Sequence, residues 1–235
     1  MNYKNHRQKI QLVSLAISSL IFAVAAYGLF TNNDRLFIIG LIFIGFLVIG
    51  GILLAPLFGR FWCGWLCPRG VFLDRVLGPL SMNRRIPKIL RTRGFKNMML
   101  VAMTLLLGLS LLGYNPVLRS DNLLAQMGGF LVLMCIVSTI LLAGPLGIIF
   151  KPRTWCSFCP MGYIQSLLAK KRLLRLHVDG CVECKLCQQD CPMELDVTDT
   201  SDNDDCFNCM KCVDACKRRS ITPTISLTEK PTVSV

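Results

Sequence analysis

Four stretches of this chain are apolar for long enough to cross a bilayer, and that constraint governs what else it can fold into. They cover residues 10–30, 36–58, 97–114 and 127–150, and a spanning helix needs about 20 residues. With 53% hydrophobic and only 17% charged residues, the chain reads as an α-helical membrane protein rather than a soluble one. No Asp, Glu, Lys, Arg or His falls inside the core of any run. That argues against an ion channel or proton pump, which place ionisable groups along their path. The only histidines are His6 and His177, so a bis-histidine haem within the bundle is excluded. The first run begins like a signal peptide, with "AVA" at 23–25, but its apolar character continues through Phe30. It is read as an uncleaved anchor.

The net charge of +12 conceals an asymmetry. Residues 1–178 hold 20 Lys/Arg against three Asp/Glu, while residues 179–216 hold two against ten. Nucleic-acid binding is the usual reading of a basic chain, but here the cations flank apolar runs. Nine of them, Arg60 to Lys96, follow the second run, and Lys151, Arg153, Lys170, Lys171, Arg172 and Arg175 follow the fourth. The other two loops carry one each, Arg35 and Arg119. The positive-inside rule then puts both termini in the cytoplasm. Trp62, Trp65 and Trp155 are expected at headgroup depth as interfacial anchors. The domain organisation expected is a membrane domain over 1–175, a second domain over 176–221 and a tail over 222–235.

Twelve of the 13 cysteines fall in tight clusters; Cys135 alone sits inside an apolar run, where it reads as a small buried hydrophobe. "RFWCGWLCPRG" (60–70) and "RTWCSFCPMG" (153–162) end the two halves of an internal repeat. Arg60/Arg153, Trp62/Trp155, Cys63/Cys156, Cys67/Cys159, Pro68/Pro160 and Gly70/Gly162 correspond. Two halves running in the same direction imply two parallel pseudo-repeats, with both motifs at one rim of a four-helix bundle. Proline suits the first position of a helix, which makes Cys67 and Cys159 N-cap residues. The positive helix end and the neighbouring arginines are expected to lower thiol pKa values. Four such thiolates, Cys63, Cys67, Cys156 and Cys159, can bind one further cluster or work as two dithiol/disulfide pairs; the spacing leaves both open.

Nearer the C-terminus, "CVECKLCQQDCP" and "CFNCMKCVDACK" both read C-x2-C-x2-C-x3-C. In this spacing three cysteines of one motif and the last of the other hold each cluster. Cys181, Cys184, Cys187 and Cys216 are the expected ligands of one [4Fe–4S] cluster, and Cys206, Cys209, Cys212 and Cys191 of a second. A zinc site favours two pairs across a longer gap. The segment resembles the two-cluster bacterial ferredoxins, with Lys217 where proline is usual and only 14 residues between the blocks. Its acidic residues suit basic partners, or docking on the basic loops of the same chain.

As a whole the pattern resembles the NapH-type membrane ferredoxins, within a wider group that includes NosR-type and CcoG-type proteins. The matching residues are Cys63, Cys67, Pro68, Cys156, Cys159, Pro160 and the eight ferredoxin cysteines; the second membrane motif departs in being C-x2-C-P. The resemblance covers roughly residues 10–216. It implies a multi-pass protein of a bacterial or archaeal inner membrane, embedded in lipid, that passes electrons between quinone or quinol and a redox protein partner, as a quinol dehydrogenase component. Two other readings are an assembly or metal-reducing factor of the CcoG type and a redox-sensing membrane regulator. The quinone is expected between spans at the cytoplasmic rim, and His177 is a candidate proton acceptor by its ordinary pKa.

Overall fold

The computed structural model describes residues 3–31, 33–112, 122–196 and 204–225, the side chains of residues 3, 4 and 171 excepted. The end of the third predicted span at Tyr114, the loop with Arg119 and residues 226–235 of the predicted tail lie outside the described residues. Four helical segments are long and apolar enough to cross a membrane: Asn5–Thr31, Asp34–Phe58, Arg93–Leu111 and Leu123–Ile149. The chain is a multi-pass, mostly helical membrane protein.

The first two segments lie in α1 (Tyr3–Thr31) and α2 (Asp34–Phe58), joined by a tight turn in which Asn33 caps α2 by accepting from the Arg35 amide. After α2 come two five-residue helices, α3 (Phe61–Trp65) and α4 (Pro68–Phe72), and a π-helical turn at Leu73–Leu77. The third segment is α5 (Arg93–Leu111), capped by the Thr92 hydroxyl. The fourth is α6 (Leu123–Ser138), a π-helical turn at Thr139–Ala143, and α7 (Gly144–Ile149). Pro145 lacks the N–H that a regular helix would donate there, and the wide turn before it absorbs the break.

Helix α2 is the centre of the bundle, packed against both α1 and α6. Its contact with α6 is a backbone contact: a Cβ on Gly128 would lie 2.1 Å from the Phe37 carbonyl oxygen. Lipid offers apolar surface as good as a neighbouring helix does, so small residues that let backbones approach carry such contacts.

After α7, a 3-10 turn at Thr154–Ser157 leads to α8 (Pro160–Leu168). Strand β1 (Leu174–Val178) follows, then α9 (Leu186–Gln189), α10 (Lys211–Ala215) and strand β2 (Ile221–Ile225). The strands pair antiparallel, Leu174 opposite Ile225 and Val178 opposite Ile221, so one short hairpin-like sheet brackets both ferredoxin-type motifs. Trp65, Leu176, Val178, Met210, Cys212 and Ile221 share one core.

The tryptophans depart from expectation. Trp65 and Trp155 are 7% and 2% exposed, packed inside the protein rather than facing out as anchors. Trp65 donates its indole N–H to the Asn208 carbonyl at 3.0 Å, and Trp155 packs edge-on against Phe158 under the Arg69 guanidinium. A polar handle on a large apolar ring suits a domain junction as well as an interface. Trp62 alone is half-buried.

Candidate iron–sulfur sites

Each Cys-Pro motif is built the same way. Cys67 and Cys159 occupy the N-cap positions of α4 and α8, with Pro68 and Pro160 at the first helical turn. Cys63 lies in α3, and Cys156 in the 3-10 turn. The halves cross over one another. Arg60 donates to the Cys156 carbonyl at 2.6 Å, and Arg153 donates to the Cys63 carbonyl at 2.5 Å. Each guanidinium also lies against the glycine of the other half: a Cβ on Gly162 would be 2.2 Å from Arg60 Nη2, and one on Gly70 3.3 Å from Arg153 Nη1. Both arginines are 1% exposed and both lie over the ring of Phe207, at 4.7 and 5.3 Å.

Buried cations need partners. Arg153 pairs with Asp74 at 2.8 Å, and Asp74 also receives Arg7. Arg60 pairs with Asp205, which takes Lys96 on its other oxygen at 2.6 Å. Burial opposes ionisation of Asp74, yet Arg153, Lys211 and Arg7 hold its carboxyl below the usual carboxylate range.

Burial also dominates at the thiols. It pushes Cys63, Cys67 and Cys156 up, the last to about 12, against the opposing pull of Arg60, Arg153 and the Gly70 amide. Neighbouring cysteines add to this: Cys67, Cys156 and Cys159 oppose ionisation of Cys63, and Cys159 opposes that of Cys67 and Cys156. At Cys63, Cys67 and Cys156 desolvation thus outweighs the helix ends and the arginines, opposite to the lowering expected from the sequence. A bound positive metal centre would take those thiols deprotonated. The Cys63 thiol donates a hydrogen bond to Gln165 Oε1 at 2.9 Å; Gln165 is fully buried, and its Nε2 has no partner among the described residues.

The ferredoxin-type motifs sit directly beside this group. Cys156, Met193 and Phe207 form one buried cluster, against which Cys63, Cys191 and Cys209 pack. Cys191, Cys206, Cys209 and Cys212 line one small apolar cavity with Leu176, Met193 and Phe207. Cys181, Cys187 and Cys216 pack on the Trp65 core, and Cys184 is exposed. The two loops bend alike: Glu183 and Lys185 in the first motif, and Asn208 and Met210 in the second, are all left-handed. Such residues cost energy unless the surroundings fix them. The Glu183 amide donates to Cys181 Sγ and the Leu195 amide to Cys191 Sγ, both at 3.4 Å; bonds of this kind favour a charged sulfur.

Basic loops grip the acidic segment. Glu194 pairs with Arg91 at 3.3 Å and Lys151 at 3.6 Å, and Lys151 also donates to the Gln189 and Cys191 carbonyls. Arg7 donates to the Cys209 carbonyl, and Asn208 to the Phe58 and Leu174 carbonyls.

Among the described residues, no three His, Cys, Asp or Glu side chains converge on one metal-ion position. A single ion draws its thiolates to about 2.3 Å, whereas a cluster takes them at separate corners, and all-cysteine donor sets with apolar walls suit the latter. His177 lies on β1 opposite Thr222, beside the ferredoxin-type motifs. Cys135 is half-buried in α6, its carbonyl accepting from the Thr139 hydroxyl.

The 4Fe-4S binding domain family matches the chain twice, over residues 39–87 and 127–177, so each match contains one Cys-Pro motif. Over 235 aligned residues the chain is 29% identical to the uncharacterized protein MJ0749 of Methanocaldococcus jannaschii, covering 93% of this chain and 89% of that one. It is 28% identical to the putative electron transport protein YccM of Escherichia coli, over 79% of this chain and 56% of YccM. It is 27% identical to the ferredoxin-type protein NapH of Haemophilus influenzae, over 70% of this chain and 62% of NapH. The chain is thus similar to ferredoxin-type and electron transport membrane proteins. No solved structure matches it. Asp74, Gln165 and Phe207 are site residues that pattern reading passed over. Asp74 alone left a sequence signal, as one of three acids in the first 178 residues.

Proposed function

We propose that this protein carries electrons between the membrane quinone pool and a redox protein partner, as a quinol dehydrogenase component. That YccM and NapH are named as electron transport and ferredoxin-type proteins supports the coarser part of this reading. The finer part rests on one observation: Cys63 and Cys156 of the membrane motifs share a packed cluster with Cys191 and Cys209 of the ferredoxin-type motifs. Electron carriers in series need such contact.

In this reading Cys181, Cys184, Cys187 and Cys216 hold one [4Fe–4S] cluster, and Cys206, Cys209, Cys212 and Cys191 a second. Cys63, Cys67, Cys156 and Cys159 hold a third, the two halves acting as parallel pseudo-repeats. The two family matches and the reciprocal arginine bonds favour a shared site over two separate dithiols. Bound clusters supply one-electron redox chemistry, which lets the two electrons of a quinol be separated. The chain's residues do the rest. Arg60 and Arg153 tie each motif to the other and offset thiolate charge, and the amides at Cys181 and Cys191 donate to sulfur. Phe207 and Met193 keep water from the gap. The membrane domain expected over 1–175 and the ferredoxin-like domain expected over 176–221 meet within β1, and β2 carries the second domain on to Ile225. The cation-rich end, where Arg7, Arg60, Lys96 and Lys151 meet the second domain, faces the cytoplasm by the positive-inside rule, so both termini are cytoplasmic.

The test is iron content together with quinol-driven reduction in wild type and in two double variants, Cys63→Ser/Cys67→Ser and Cys156→Ser/Cys159→Ser. Each variant should lose about four irons and all quinol-driven reduction, while the remaining clusters still accept electrons from dithionite. Unchanged iron with a redox-dependent thiol count would replace the third cluster by dithiols. Unchanged iron, thiols and reduction would remove the electron route altogether.

A further inference from the structure

One large cavity lies apart from the cysteines, between α1 and α2 at the end where the Cys-Pro motifs sit. It encloses about 470 Å³, within the range of small-molecule sites. Its walls include Lys9, Ser14, Ser18, Phe46, Trp62 and Leu66. Val13, Ile17 and Phe46, also on its walls, are 59%, 57% and 66% exposed on membrane-spanning helices. The mouth therefore opens sideways toward lipid, and the occupant must arrive through the bilayer.

Two features distinguish this groove from a place where an acyl chain rests. Ser18 is 6% exposed, lines the cavity, and makes no hydrogen bond among the described residues. A helical serine commonly bonds back to its own helix; this hydroxyl instead waits for a partner that a hydrocarbon chain cannot supply. Ser14, one turn away, donates to the Leu66 carbonyl at 2.7 Å and keeps its oxygen free to accept. Four residues of helix rise about 6 Å, similar to the span between the two ring oxygens of a para-quinone. The second feature is the far wall. The Trp62 indole lies edge-on to Phe46 with centroids 6.3 Å apart, and a Cβ on Gly50 would touch it at 2.9 Å. Trp62 directly precedes Cys63 on α3.

We propose that this groove is the headgroup site of a membrane quinone: Ser18 bonds one ring oxygen, Ser14 accepts from the other when it carries a hydrogen, and Trp62 with Phe46 walls the ring. The isoprenoid tail leaves along Val13 and Ile17 into lipid. This inference rests on the quinol-linked reading above, and it names the place where that reading begins.

The test uses full-length protein in lipid nanodiscs, with short-chain benzoquinone and naphthoquinone analogues bearing a photoreactive group. Labelling should map to peptides containing residues 9–18 or Trp62 and be displaced by excess unlabelled quinone. Ser18→Ala should weaken binding about fivefold, the loss of one neutral hydrogen bond. Ser18→Thr, which keeps the hydroxyl, should bind like wild type. Labelling elsewhere, or equal affinity in Ser18→Ala, overturns the site while leaving the quinol reading intact. A groove labelled by a photoreactive phospholipid that quinone fails to displace is a lipid site only and also overturns it. A wild-type protein that binds neither quinone removes both.

Discussion

Asp74 carries more of the site than its place in the sequence suggests. It lies one residue past Leu73 on the π-helical turn and binds Arg153, whose other bond fixes the Cys63 carbonyl. Its carboxyl is held below the ordinary 3.8 by Arg153, Lys211 and Arg7 against the cost of burial. A depressed folded-state pKa contributes stability that is complete above the unfolded value and is lost as pH falls through the folded one. Acid unfolding of the detergent-solubilised protein should therefore steepen below about pH 4, where Asp74 is driven to protonate. Asp74→Asn should flatten that limb and lower stability at neutral pH by about 3–5 kcal/mol, because Arg153 stays buried without its anion. An unaltered acid limb in the variant would assign the pH dependence to other carboxylates. The cysteine motifs themselves were legible in the sequence because their spacing is a local pattern. Thiol protonation was not, since desolvation comes from neighbours such as Phe207 that are distant in sequence. Nor were the left-handed Glu183, Lys185 and Met210, residue types that do not advertise that conformation.

At the scale of elements, the spans were legible almost to their ends, because 20 apolar residues in a row admit few alternatives. Which faces meet was hidden, since a helix apolar on all sides gives no stripe to read. Glycine spacing does not resolve this either. Gly108 in α5 has nothing within 4 Å of the position a Cβ would take, whereas at Gly128 in α6 the Phe37 carbonyl occupies it. Gly108→Ala should be neutral or slightly stabilising, by up to about 1 kcal/mol from helix propensity. Gly128→Ala must push two backbones apart and should cost about 1–3 kcal/mol despite the same propensity gain. Thermal unfolding of the two variants in one detergent checks this. Equal midpoints would mean that α2 and α6 are held by something other than their close approach.

At the scale of the whole molecule, the charge asymmetry of the sequence has become a docking interface. Acids from the cysteine-rich domain insert among cations from every basic loop of the membrane domain. Asp205 bridges Arg60 and Lys96, and Glu194 bridges Arg91 and Lys151. That Asp205 and Glu194 meet these cations depends on loop geometry that composition does not encode. Phe207 of the docked domain lies against both arginines, beside Cys63 and Cys156, so the electron route proposed above requires the docked state. Asp205→Asn together with Glu194→Gln leaves all twelve clustered cysteines in place but strands Arg60, which is 1% exposed, without its anion. A loss of about 3 kcal/mol lowers the docked-to-undocked ratio on the order of 100-fold. Hydrogen exchange should become faster at the Cys206–Met210 loop that Trp65 and Arg7 pin. Quinol-driven reduction of the ferredoxin-type clusters should slow, while iron content and dithionite reduction stay at wild-type levels. If exchange rises and quinol-driven reduction does not slow, electrons reach the second domain without the Phe207 contact, and the route through Cys63 and Cys156 is wrong.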